Sequence, residues 1–243
     1  MNPARTNPFT NRKPLQPGGR EVFLKRLRQS LGHNAAQTPP LTEPPPALDE
    51  SLIRQCNDAG PALIDRWIAK AKTNSMIIHR TTAEPAAIHA ALDASFAAHN
   101  PAKILLNAAD FDTRFSLAGH LTQKSVIRWT EPNCRETAFS CDASITDCRA
   151  ALADAGSLVV WSDASFGRSS TLVIPVHVIL LPASRILPDL IDGLQFIRNQ
   201  NPAGLPSNVV IINGPSKTAD IEMNLITGVH GPKHVYVILI DGM

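Results

Sequence analysis

Short apolar strands alternating with amphipathic helical stretches predict an α/β fold: a mainly parallel open sheet with helices on both faces. Three observations carry this reading. First, Met76–His79, Lys103–Asn107, Val126–Trp129, Ser157–Trp161, Val176–Leu181, Val209–Ile212 and Val235–Ile240 have strand length, and most are apolar enough for burial on both faces. Second, apolar residues recur three and four apart between them: Leu63, Ile64, Trp67 and Ile68, then Ile88, Leu92 and Phe96 behind Pro85, then Leu190, Ile191, Leu194 and Ile197. Third, 243 residues with 44% hydrophobic and 18% charged content suffice for one sizeable core and a tail.

In chain order, residues 1–19 are polar and punctuated by Pro3, Pro8, Pro14 and Pro17, a disordered composition. Residues 20–34 hold an amphipathic helix, Arg20 to Leu31, with Val22, Phe23, Leu27 and Leu31 on one side and Gly32 as its stop. Residues 35–50 carry Pro39, Pro40, Pro44, Pro45 and Pro46 and form a semi-rigid linker. Residues 51–243 form the α/β domain. Within it, Asp110–Lys124 is a polar-faced helix or loop, Ala138–Thr146 carries a strand, and Arg149–Ala155 forms a helical turn released by Gly156. Few helices separate the strands between Ala138 and Leu181, so a small antiparallel excursion is expected there. The helix Leu187–Arg198 follows.

A net charge of +2 gives no push toward nucleic acid or an anionic membrane. No apolar run has membrane-spanning length, and no apolar stretch follows Arg5, Arg12 and Lys13, so a cytoplasmic location is expected. Cys134, Cys141 and Cys148 are evenly spaced, but the spacing fits no zinc or iron–sulfur pattern; with Cys56 they read as reduced structural thiols. Phosphate-loop, dinucleotide, zinc-protease and serine-hydrolase motifs are absent, and no cofactor is expected in this chain.

The stretch Asn213–Glu222 stands out. Gly214 and Pro215 stop the strand Val209–Ile212, and Ser216 and Thr218 can accept from free N–H groups to begin a helix ended by Gly228. At the carboxyl edge of the sheet, Ser216, Lys217 and Thr218 would make an anion site, with Asp220 and Glu222 holding cations or polarising the ligand. The same hydroxyls and carboxylates also suit plain caps on a solvated face. Asp154, before the Gly156-Ser157 turn, is either a base, nucleophile or cation holder or an ordinary helix-end residue. Arg168 and His177 read equally as ligands or as a loop ion pair and a core histidine, and His230 as a turn histidine that can reach the same crevice.

Gly214-Pro-Ser-Lys-Thr-Ala-Asp-Ile-Glu222 followed by Gly228-Val-His-Gly-Pro232 resembles the C-terminal signature of the LUD domain, the lactate-utilisation protein C family. Arg168 to His177 resembles the family's Arg-x-x-Ser-Leu-x-Pro-x-x-His segment, with Thr171 in place of Ser and Pro175 one place late. Asp154-Ala-Gly156 stands where the family has Glu-Thr-Gly. The resemblance implies a fold similar to the ribose-phosphate isomerase and coenzyme A transferase group. It also implies a non-redox component of L-lactate oxidation to pyruvate, beside iron–sulfur partner subunits and a small anionic metabolite. Asp154 and Glu222 would be the catalytic candidates; Arg168, His177, Gly214, Ser216, Lys217, Thr218, Asp220 and His230 would bind ligand. The alternatives are a stand-alone transferase- or isomerase-like enzyme acting on an anionic small molecule, and an assembly protein with a vestigial pocket.

Overall fold

The computed structural model describes residues 19–32, 54, 56–202, 204–218 and 226–243, and the chain divides into two units, Met1–Asp49 and Glu50–Met243. In the first unit, helix α1 (Gly19–Ser30) has Glu21 in its first turn and Arg28 in its last, which suits the helix dipole. Gly32, at φ 71°, follows the helix in the left-handed conformation that closes it. Val22, Phe23, Leu27 and Leu31 are exposed. The expected tail and the proline-rich linker lie outside the described residues.

The second unit is built on six parallel strands. They are β1 (Ile77–Thr82), β2 (Lys103–Asn107), β3 (Ser125–Arg128), β4 (Ala143–Asp147), β7 (Val176–Pro182) and β12 (His234–Asp241), in the order β1-β12-β7-β4-β2-β3. Alternation sends Ile104, Leu106, Ile145, Val178, Leu180 and Ile238 to one face, against α3 (Pro85–Phe96), α4 (Ala109–Phe115) and α5 (Leu117–His120). Ile179, Leu181, Val237 and Leu239 take the other face, beneath Trp67 and Ala71 of α2 (Gly60–Thr73). The Trp67 indole N–H donates to the Ser157 carbonyl at 3.1 Å, which lets so large a side chain be buried whole.

Beside α2 lies a second sheet, in the order β8-β5-β6-β9. Its strands are β5 (Ala150–Leu152), β6 (Ser157–Trp161), β8 (Ile186–Leu187) and β9 (Val209–Ile212). Helix α8 (Leu190–Gln200), capped by Asp189, packs Ile197 and Phe196 on the far side of this sheet against Leu152, Val159 and Trp161. The second face of the main sheet is therefore covered by a helix and a sheet together. Toward β4 and β2 the cover changes to α6 (Cys134–Ala138) and α7 (Ser169–Leu172), with Ala138, Cys141 and Ile174 on Leu105.

Four expectations need correction. Val209–Ile212 is no buried strand of the parallel sheet: β9 is the edge of the second sheet, antiparallel to β6, with Ile211 44% exposed. A β-branched run has the same composition at an edge as in a centre. Arg149–Ala155 is not helical; Ala150–Leu152 pairs with both β6 and β8, so tertiary pairing overrides the helix preference of alanine. Ala138 ends a helix, and its strand starts only at Ala143. Ser216 and Thr218 do not start a helix: β10 (Lys217–Thr218) pairs antiparallel with β11 (Ile226–Thr227). The expected antiparallel excursion is present as β5–β6.

Candidate functional site

Strand β6 ends at Trp161, and the loop beyond it folds back on itself. Asp163 Oδ1 accepts from the backbone N–H and hydroxyl of Ser165, both at 2.7 Å, and its Oδ2 accepts from Arg149 Nη2 at 2.6 Å. Burial works to raise the Asp163 carboxyl, but the bonds from Ser165 and the Arg149 charge outweigh it and hold the group below the usual carboxylate range. The Arg149 guanidinium lies over the rings of Trp161 and Phe166, at 5.4 and 5.7 Å. The loop is thus pinned at both ends.

Gly167 comes next and lies flat on Trp129; a Cβ there would collide with the indole ring. Ser170 then donates to Gly167 O at 2.7 Å and accepts from Asn107 Nδ2 at 3.0 Å, fixing α7 to the end of β2. These contacts frame a cleft of about 790 Å³ whose walls include Trp129, Arg135, Ser162, Phe166, Arg168 and Asn208. The Arg135 and Arg168 guanidiniums are exposed and bond to none of the described residues. Among the described residues, the single carboxylate on the wall is Asp163, and it is already occupied. Ser162 Oγ and Asn208 Oδ1 are buried without a partner among the described residues. Two free guanidiniums with hydroxyl and amide groups between apolar walls are suited to holding an organic anion.

A second pocket of about 410 Å³ shares Leu172 and Val173 with the cleft and carries His230 and Lys233. A third, of about 190 Å³, opens at the carboxyl ends of β2 and β3 and shares Trp129. Its arginine, Arg128, is already paired with Asp112 at 3.0 Å.

The structure divides the residues singled out from the sequence. Arg168 stands on the cleft and His230 on the adjoining pocket. Ser216 lies behind Gly231, its N–H donating to Pro232 O at 2.8 Å. Lys217 Nζ donates to Ser75 Oγ at 2.9 Å, and Gly214, at φ 95°, abuts the Asn74 carbonyl. Pro232 and Ser75 lie two residues before β12 and β1. Gly214 to Lys217 therefore sits at the amino edge of the main sheet, not at the expected carboxyl edge. Thr218 is spent in the β10–β11 ladder. Asp154, on the β5–β6 turn, accepts from the N–H of Ala155 at 2.7 Å, while Ala155 O accepts from Asn74 Nδ2 at 2.7 Å. Asp154 and Lys217 thus share the Asn74–Ser75 turn, and neither lines the cleft. Asp220 and Glu222 lie outside the described residues.

His177 is fully buried in β7, its Nε2 2.8 Å from Thr146 Oγ1 and its Nδ1 unpartnered. Burial drops its pKa to about 3, so the ring is neutral. Cys148 is packed beneath α2 and Cys141 beneath α6, in separate apolar clusters, and burial raises both thiols. Arg135, Ser162 and Asn208 went unnoticed in the sequence. Ser162-Asp163 at the exit of an all-apolar strand is a usable signal, because α/β sites gather where strands end. Arg135 has no local signal; only tertiary structure brings it to the cleft.

The LUD domain family matches residues 56–240. The chain is 29% identical to lactate utilization protein C of Exiguobacterium sp. over 237 residues, covering 94% of this chain and all of that protein. It is 27% identical to lactate utilization protein C of Anoxybacillus flavithermus, covering 91% and 99%. In fold it is similar to a DUF162 family protein from Deinococcus radiodurans, with TM-score 0.56 and 18% identity over 75% of this chain and 99% of that one.

Proposed function

Because the chain belongs to the LUD domain family, we propose that it is the non-redox component of an L-lactate utilisation system, working beside iron–sulfur partner subunits in the cytoplasm. The carrying observation is full-length similarity to proteins named lactate utilization protein C, covering 100% and 99% of those two relatives. Oxidising lactate to pyruvate releases two electrons and two protons, and this reading assigns the electrons to the partners. The thiols here suit that division: Cys56 and Cys148 are buried in one apolar cluster and Cys141 in another. This chain would then need no cofactor of its own. Its contribution would be to bind a small anionic metabolite, for which the exposed guanidiniums of Arg168 and Arg135 are the suited groups.

Deleting the gene should abolish growth on L-lactate as sole carbon source and leave growth on pyruvate intact. A tagged chain purified anaerobically should bring with it a cysteine-rich protein with iron absorbance. Unchanged growth on lactate would overturn the reading. If the purified chain alone then turned over an anionic substrate, it would be a stand-alone transferase- or isomerase-like enzyme.

A further inference from the structure

We propose that the cleft beside α7 binds a hydroxyl-bearing organic phosphate, a ligand larger and more highly charged than lactate; the inference does not depend on the lactate reading. Size is the first argument. The cleft measures about 790 Å³, within the roughly 300–1,000 Å³ of pockets that enclose metabolite-sized ligands. The six heavy atoms of lactate, at the roughly 30 Å³ that a water takes, come to no more than about 180 Å³.

Charge is the second argument. Arg135 and Arg168 bring two unopposed positive charges to the walls, since Asp163 is engaged by Arg149 at 2.6 Å and by Ser165. A monocarboxylate would balance one of them. A phosphate monoester carries about −1.5 to −2 at neutral pH and offers three acceptor oxygens to a guanidinium fork.

The third argument is the pair of orphaned atoms. Ser162 and Asn208 line the cleft, and their Oγ and Oδ1 atoms are buried and have no partner among the described residues. Their backbones are fixed, because the Ser162 N–H donates to Asn208 O at 3.1 Å and extends the β6–β9 ladder past Trp161 and Val209. A ligand hydroxyl that reached these atoms would donate to Asn208 Oδ1 and accept from the Ser162 hydroxyl. Leaving such atoms unpaired is costly, so a site that contains them discriminates for a ligand that pairs them. Trp129 and Phe166 supply the apolar surface for the carbon skeleton.

The test is calorimetric titration of the full chain with glycerol 3-phosphate, glucose 6-phosphate and AMP, set against inorganic phosphate, L-lactate and malate. At least one organic phosphate should bind ten-fold or more tightly than inorganic phosphate, lactate or malate, and more weakly as salt rises. Arg168→Ala and Arg135→Ala should each weaken it ten-fold while melting like the wild type. Ser162→Ala should weaken the organic phosphate several-fold and leave inorganic phosphate unchanged. Lys217→Ala, away from the cleft, should change nothing. The proposal falls if no organic phosphate binds, if lactate or malate binds as tightly as the best of them, or if Arg168→Ala binds like the wild type.

Discussion

The missing side chain of Gly167 sets where Trp129 lies, and with it one wall of the cleft. Gly167→Ala should cost about 1–3 kcal/mol, the usual range for overpacking, and should shift the tryptophan emission. Thermal melts and fluorescence of the variant check this. His177 makes a pH prediction whose sign follows from its burial. Its pKa falls from 6.5 to about 3 in the folded chain, so below 6.5 the unfolded chain takes up a proton that the folded chain refuses. Stability is then full above pH 6.5 and declines toward pH 3 by about 1.4 kcal/mol per unit from this group. His79 and His234 are also lowered by burial and act in the same direction. His177→Gln should flatten the acid limb in urea unfolding measured from pH 7 to pH 4; an unchanged slope would mean that the ring protonates in place. The residue types at 168 and 177 were visible in the sequence, but their fates were not. Strand alternation says which face His177 takes, whereas the layer that seals that face comes from α7 and the second sheet.

Among the elements, β2 and β6 were legible to the residue, because three or four apolar residues between polar ones leave little choice of boundary. Strand β9 had correct ends and the wrong sheet. Its two faces differ: Val210 and Ile212 pack under the second sheet, while Ile211 is exposed. Ile211→Lys should therefore cost less than about 0.5 kcal/mol, as surface changes do, whereas Val210→Lys should cost about 3 kcal/mol or more by pressing a charge against the core. Equal penalties in denaturant titrations would restore a strand buried on both faces. Lys217–Thr218 was misread for a related reason. Serine, threonine and a preceding proline favour a helix start, but the same hydroxyls fit a short ladder once Ile226–Thr227 comes alongside.

At the scale of the molecule, the division after Asp49 falls in the proline-rich stretch, and the family match starts at residue 56. A chain starting at Glu50 should unfold cooperatively with a stability within about 0.5 kcal/mol of the full chain, the usual tolerance for changes outside a core. Arg54 marks how far the trimming can go. Its guanidinium meets Asp192 at 2.8 and 3.2 Å and stands 3.8 Å from the buried Asp189 that caps α8. Arg54→Ala should cost about 1–3 kcal/mol, because it leaves a buried carboxylate with less compensation. Chemical denaturation of the two chains separates these outcomes.

The strand order also has a consequence for synthesis on the ribosome. Among the described residues, strand β1 pairs with β12 alone, and β12 fills the gap between β1 and β7. Thr82, where β1 ends, leaves the exit tunnel long before His234, where β12 begins. At about 5–20 residues per second, the wait lasts roughly eight to thirty seconds. Throughout it β1 has no ladder partner, and β7 offers an apolar edge that any neighbouring nascent chain can join. Vectorial completion of the main sheet therefore depends on its final eight-residue strand, and a message truncated just before that strand would yield a chain in need of a chaperone.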